Sequence, residues 1–379
     1  SALAVVISFG PAVASYYLLE NRLRFTPFPS YRAGLLVAGV TLLTPISGAG
    51  ALWAFAESLV PRATTPVPAA GPAGAAPTDA EQEGVIDPEE LGRVADERPP
   101  GYELGCHGPP NSAETLSVCR WDYPNDLEAG SPVYLIGDSN AAHFTEGLRL
   151  AAEAEKRDLK VATASNCPLT VGAVPKLGSE DKCERWQQLV IEYLAESRSG
   201  TVVLAGTDGY WLGTTHAIAG AGDAIAEDEE TKVALLRDAT ADTASTLKAF
   251  GHEVILVQTV PQWTGENEWS LDSCSLVETL EGCVEEQSLE THFSNAGPVI
   301  LALERAAGAS GARTVDFVPQ ICPDEVCSTA QAGQYVYRDG SHITNSFSRA
   351  LVSSWQEKLY PPGSSGDSPP AEGQAGGTG

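Results

Sequence analysis

Ser139, Asp339 and His342 are the residues of this chain whose types and surroundings can do chemistry. Ser139 stands in Val133-Tyr134-Leu135-Ile136-Gly137-Asp138-Ser139-Asn140, where a short apolar run ends in polar residues. Asp339 and His342 lie far along the chain in Arg338-Asp339-Gly340-Ser341-His342. A serine hydroxyl is a weak nucleophile until an adjacent base takes its proton. An imidazole is that base, and a carboxylate beside it orients the ring and stabilises its protonated form. A strand ending at Ser139 and a helix beginning there put the hydroxyl among free backbone N–H groups at the positive end of a helix dipole. Those groups favour the negative charge that forms when a hydroxyl attacks an acyl carbonyl. Taken singly, each motif has a plainer reading. Asp138 and Ser139 are good helix N-caps, and Asp339 to His342 reads as a surface turn. Their placement carries the catalytic reading: one motif ends the first strand and the other opens the last helix.

The elements that must hold these residues are legible as alternation. Apolar, β-branched runs occur at VYLIG (133–137), LKVATAS (159–165), TVVLAG (201–206), EVILVQTV (253–260) and RTVDFV (313–318). Helical patterns fall between them, near 141–156, 184–198, 229–250 and 296–309, with a last one over 344–358. Strands alternating with helices predict an α/β fold, a doubly wound parallel sheet covered on both faces. In such sheets the functional site lies beyond the carboxyl ends of the strands, which is where Ser139 falls.

Gly137-Asp138-Ser139 and Asp339-Gly340-Ser341-His342 resemble the first and last conserved blocks of the SGNH (GDSL-like) hydrolases, which are α/β serine esterases and acyltransferases. Within that group the chain most resembles the SGNH domain fused to acyltransferase-3 membrane proteins. The run Ser15-Tyr16-Tyr17-Leu18-Leu19-Glu20-Asn21-Arg22-Leu23-Arg24 is similar to a late transmembrane segment of that membrane domain. The resemblance implies an O-acyltransferase that moves an acyl group, acetyl by preference, to a hydroxyl of a cell-envelope glycan through a serine acyl-enzyme. Peptidoglycan, lipopolysaccharide or another envelope polysaccharide is the implied acceptor, and the membrane domain delivers the acyl donor. It leaves two rivals: a membrane-anchored serine esterase that removes acyl groups, and a non-catalytic glycan-binding domain. The family's middle blocks supply a Gly and an Asn to the oxyanion hole. After the third strand this chain instead reads Gly206-Thr207-Asp208-Gly209, and an ionised Asp208 opposes an oxyanion. The Ser139 backbone N–H and Asn166, in Ser165-Asn166-Cys167-Pro168, are the remaining donors, although Asn166 also reads as an ordinary loop residue. The chemistry requires no metal or nucleotide cofactor.

Other polar and aromatic residues divide between site and scaffold. His143 falls one helical turn after Ser139, and a buried structural histidine is the favoured reading. His107, His216, His252 and His292 have no partner at a telling spacing and read as surface or turn residues. Tyr210-Trp211 and Trp263 follow strand ends and fit either a sugar platform or the core. Glu227-Asp228-Glu229-Glu230 reads as a solvated helix start.

Composition bounds the setting. The net charge of −27 repels phosphate backbones and argues against nucleic-acid binding. Eight cysteines form neighbouring couples, Cys106 with Cys119, Cys167 with Cys183, Cys274 with Cys283 and Cys322 with Cys327. An even, spaced set suits disulfides in an oxidising compartment, with pairing by proximity, and the scattered histidines argue against zinc. Residues 1–19 and 33–56 carry no charge, and each is long enough to cross a bilayer as a helix. Arg22, Arg24 and Arg32 lie between them, so the connecting loop faces the cytoplasm and the rest of the chain lies outside. The expected organisation is two transmembrane helices in 1–60, a disordered Pro/Ala/Gly linker over 61–100, an SGNH-like extracytoplasmic domain over 101–360 and a disordered tail over 361–379. The complete lack of methionine predicts a missing N-terminal part.

Overall fold

The central strands pair side by side because their runs of Val, Ile, Leu and Ala are apolar on both faces, as strands of a buried parallel sheet must be. The computed structural model describes residues 88–107, 119–124, 129–220, 224–264, 268–274 and 283–360, all within the unit Ala69–Gly379. Strands β1 (Arg120–Trp121), β2 (Val133–Gly137), β3 (Leu159–Thr163), β4 (Thr201–Ala205), β5 (Glu253–Val257) and β6 (Arg313–Val315) form one sheet in the order β1-β3-β2-β4-β5-β6. β2 to β6 run parallel, and β1 closes one edge antiparallel to β3.

Period-two alternation sends the side chains to two cores. Val133, Leu135, Val203, Ala205, Ile255 and Val257 face one side, with Phe144 and Leu148 and the C-terminal Trp355. Tyr134, Ile136, Val202, Leu204, Val254 and Leu256 face the other, with Trp186, Val190, Leu194 and Leu247. The first side is covered by α4 (Thr145–Ala154), α8 (Asn345–Ala350) and α9 (Val352–Leu359). The second is covered by α5 (Glu180–Glu196), α6 (Glu229–Ala249) and α7 (Leu289–Ser310). Each fully buried aliphatic side chain contributes roughly 1.5–3 kcal/mol relative to leaving it in water. The doubly wound parallel sheet expected from the sequence is the fold observed.

Several details differ from expectation. The helix expected near 141–156 is two pieces, α3 (Ser139–Ala142) and α4. The helix expected from 296 starts at Leu289 and passes through Pro298, because Ser288 caps it by accepting from Thr291 N at 3.1 Å. The linker expected to stay disordered up to residue 100 is ordered at its end. Pro88–Ala95 forms α1, and Leu91 and Val94 are buried in the first core. Their spacing of three puts both on one helical face, which is enough apolar area to hold the helix down. A further short helix, α2, covers Pro100–Glu103. The two apolar stretches within residues 1–60, most of the linker and the tail from 361 lie outside the described residues. Among the described residues no helix is long and apolar enough to cross a membrane.

All four neighbouring cysteine couples are disulfides. His252 and His292, expected at the surface, are each 3% exposed. His252 is satisfied there, its Nδ1 accepting from Gly200 N at 3.3 Å and its Nε2 bonding Leu194 O at 2.9 Å. Tyr210, Trp211 and Trp263 are core residues, and Asp228 caps α6 by accepting from Thr231 N at 2.9 Å.

Gly137 pairs with Ala205 at the carboxyl ends of β2 and β4. A Cβ on Gly137 would stand 1.8 Å from the Ala205 carbonyl oxygen, and the backbone φ is +151°. Neither partner is a flexible side chain end, so the sheet itself would have to open. Gly137→Ala is therefore expected to cost about 3 kcal/mol or more, at or above the upper range of ordinary overpacking. Urea denaturation of the two proteins, disulfides intact, measures it.

Candidate active site

The parallel strands are added in the order second, first, third, fourth, fifth. The winding direction therefore reverses between β2 and β4, and a crevice opens there at their carboxyl ends. Asp138 and Ser139 leave β2 at that point. Asp138 has no exposure. Its carboxylate caps α3 by accepting from Asn140 N at 2.7 Å and crosses the crevice to accept from Thr207 N at 2.9 Å. Burial pushes its carboxyl up in spite of those two bonds. Ser139, half-buried, is the first residue of α3.

Asp339 and His342 sit on a tight hairpin before α8. Tyr337 bridges Ile343, and Arg338 N donates to His342 O at 3.0 Å. Gly340 is clamped from outside: Trp263 N donates to its carbonyl at 2.7 Å, and a Cβ on Gly340 would meet Trp263 O at 2.3 Å. Inside the turn, Asp339 Oδ1 accepts from the backbone N–H of Ser341 at 3.0 Å and of His342 at 2.9 Å. His342 Nδ1 bonds both carboxylate oxygens, at 2.7 and 2.9 Å. Burial opposes charge on Asp339, but the His342 hydrogen bond and charge, the turn N–H groups and Arg338 hold its carboxyl well below the usual carboxylate range. With Nδ1 donating, Nε2 is the proton-accepting nitrogen. It is buried and makes no hydrogen bond in this structure, so no bond joins it to Ser139.

The hairpin and Ser139 nonetheless meet at the same edge. The His342 ring lies edge-on to His143, with centroids 6.2 Å apart. His143 N in turn donates to Ser139 O at 3.2 Å, one turn below the serine. His143 is 1% exposed, and neither of its ring nitrogens makes a hydrogen bond. Burial first, then the charges of His342 and Arg338, keep it neutral.

Asn166 lies one strand over, three residues past Thr163, the β3 partner of Gly137. It is exposed, with a left-handed φ of +56°. Its Oδ1 accepts from Tyr210 OH at 3.3 Å, which turns its amide N–H₂ the other way. The loop that supplies Tyr210 is organised by buried Lys232, whose ammonium donates to the carbonyls of Tyr210, Leu212 and His216 at 3.3, 3.3 and 2.9 Å.

His107 belongs to the same neighbourhood, against the expectation of a surface residue. The Thr163 hydroxyl donates to Cys106 O at 3.4 Å, so it accepts from His107 Nδ1 at 3.0 Å. Nε2 is then the acceptor of the Ser165 hydroxyl, at 2.8 Å. Burial, then His342 and Arg338, lower its pKa to about 4. Thr163 and Ser165 flank the end of β3, but nothing near His107 in the chain announces them. Arg338 was missed despite adjoining Asp339, and its side chain is only 9% exposed. Among the described residues, no cluster of three or more His, Cys, Asp or Glu side chains could hold a metal ion.

Asp208 stands where the family's Asn was sought, and it is 6% exposed. Burial raises its carboxyl to about 6, against a weaker opposing hydrogen bond with Thr259. The folded state thus binds this proton more tightly than the unfolded chain does. Stability falls as pH rises from about 4 to about 6 and stays lower above that. Asp208→Asn removes the penalty. It is expected to stabilise the protein by about 3 kcal/mol at pH 7.5, with the gain fading to near zero at pH 4. Paired urea melts at the two pH values check both the size and the sign.

Residues 105–357 match the family described as the SGNH domain (fused to AT3 domains). Among solved structures, the periplasmic domain of a Salmonella ser. Paratyphi A lipopolysaccharide acetyltransferase is 16% identical. Its TM-score is 0.47, covering 71% of this chain and 99% of that one. A carbohydrate esterase family 2 enzyme with its carbohydrate binding domain, from Corynascus thermopiles (Myceliophthora fergusii), is 15% identical. Its TM-score is 0.34, covering 62% of this chain and 67% of that one. No curated protein matches the chain. The family match takes in every strand of the sheet and both halves of the site, and the chain belongs to the SGNH domains of the kind fused to AT3 domains.

Proposed function

We propose that the chain transfers an acyl group, acetyl by preference, to a hydroxyl of a cell-envelope glycan through an ester on Ser139. The observation that carries this is the Asp339–His342 pair, fixed in its turn with Nε2 open, at the edge where α3 begins with Ser139. In the first half-reaction the Ser139 hydroxyl attacks the acyl carbonyl while His342 Nε2 takes its proton. The imidazolium then gives that proton to the departing donor group. In the second, a glycan hydroxyl loses its proton to His342 and attacks the Ser139 ester. The proton returns to Ser139 as its oxygen leaves. Asp339 stays ionised throughout, orienting the ring and stabilising the imidazolium. The open Ser139–His342 contact is compatible with this chemistry, since catalytic hydrogen bonds often tighten only when substrate binds.

The Ser139 backbone N–H and the Asn166 side chain are the proposed oxyanion donors. Tyr210 supports Asn166 in that role by fixing which way its amide points. Family membership supports acyl chemistry, and four disulfides support an extracytoplasmic setting. Residues 1–60 are proposed as the last membrane helices of an AT3-like domain that delivers the acyl donor, with 61–87 as the spacer and 361–379 as a free tail.

The test offers the 379-residue chain, disulfides formed, an activated acetyl ester with and without glycan fragments. Ser139→Ala and His342→Ala are expected to lose at least about 10³-fold in turnover, and Asn166→Ala about 10²-fold. Mass spectrometry of the glycan reads transfer. Release of acetate alone, with the same variants inactive, would turn the assignment to an esterase. Equal turnover in parent and folded Ser139→Ala would remove the serine mechanism.

A further inference from the structure

The carboxylate at the centre of the site has a second partner. Arg338 Nε lies 3.5 Å from Asp339 Oδ2, and that nitrogen is buried without a hydrogen bond. At this distance the guanidinium attracts the carboxylate but leaves both oxygens to His342. Arg338 is not held by the hairpin alone. Its Nη1 donates to the Glu97 carbonyl at 3.2 Å, and its positive charge acts on the nearby Tyr102 hydroxyl. Tyr102 stacks on His107, ring centroids 4.2 Å apart at 14°. Glu97 also reaches the other side of the hairpin. Its carboxylate accepts from Ser346 N at 3.1 Å and Ser346 Oγ at 2.6 Å, in the first turn of α8. Glu97 and Tyr102 both precede residue 105, where the family match begins.

We propose that the lead-in segment Pro88–His107 is part of the machinery, with Arg338 as a positioning residue that it holds against Asp339. A guanidinium fixed from outside the hairpin sets where the carboxylate sits, and so where His342 Nε2 points. The groups around the pair are Arg338 on the hairpin, His107 from the lead-in segment, and Asp138 and His143 from the β2–α3 edge. Arg338 is the permanent cation among them. Small misplacements of a catalytic group cost rate more than affinity, so the effect belongs in kcat.

This rests on the serine mechanism proposed above, and one experiment separates the two. Turnover of an activated acetyl ester by the 379-residue chain is measured for Arg338→Gln, Arg338→Lys, Tyr102→Phe, Asp339→Asn and their combinations, beside Ser139→Ala. Arg338→Gln is expected to lower kcat tenfold or more with KM within twofold. Arg338→Lys should recover part of that loss, and Tyr102→Phe should lower kcat two- to fivefold. The decisive arm is coupling: in the Asp339→Asn background, Arg338→Gln and Tyr102→Phe should each change kcat by less than twofold. If either repeats its full loss there while Ser139→Ala is inactive, the serine mechanism stands and the positioning role falls. If Arg338→Gln does not fold, the Tyr102→Phe arm decides alone. Parent-like turnover by Ser139→Ala would overturn both.

Discussion

Asp138 is a carboxylate without solvent, and the site is arranged around keeping it satisfied. A buried charge of this kind is tolerated only where donors converge on it. Asn140 N and Thr207 N provide them. The two donors belong to different pieces of the site: the start of α3 and the loop after β4. The small residues nearby follow from the same demand. Gly137 lacks a Cβ because the Ala205 carbonyl occupies that space, and a Cβ on Gly206 would stand 3.2 Å from Asp138 Oδ2. Asp138 thereby ties β2 to β4 at the point where the winding reverses, and Ser139 inherits a fixed position from it.

What the sequence revealed and what it hid divide along the range of the interactions. The central strands were legible because burial on both faces leaves a nearly unbroken apolar run such as VYLIG or VILV. The Asp339–His342 contact was legible because a three-residue turn closes it locally. Contacts between segments far apart left no local trace. His107 meets Thr163 and Ser165 across the sheet edge, and Glu97 meets Ser346. α1 was hidden for another reason: two buried residues, Leu91 and Val94, sit in a stretch whose Pro, Gly and charged residues otherwise describe a spacer.

The disulfides both close loops and join the core, Cys167 and Cys183 lying in the second core and Cys322 and Cys327 in the first. Cys167–Cys183 closes a loop of sequence separation 16 immediately after Asn166. In the chain-entropy view a loop of that size removes about 3 kcal/mol of freedom from the unfolded chain. Cys106–Cys119 does the same beside His107. An Asn at a left-handed φ on an exposed loop would otherwise be poorly fixed, since only a weak preference holds Asn there. The covalent clip and the Tyr210 hydrogen bond together constrain its amide, one at the backbone and one at the side chain.

Charge makes the remaining argument. The chain is strongly acidic, at −27, yet the Asp339–His342 hairpin encloses a guanidinium at 9% exposure. Enclosing a cation is unfavourable unless an anion and polar acceptors replace its water. Asp339 is the anion and the Glu97 carbonyl one of the acceptors. The enclosure is therefore shared between the hairpin and the lead-in segment, and neither completes it alone. Without the lead-in segment, Arg338 would regain water and its hold on Asp339 would weaken to that of an exposed pair, worth about 0–1 kcal/mol. The order of the segment before the family domain and the electrostatics of the Asp339–His342 pair are in this sense one property of the fold.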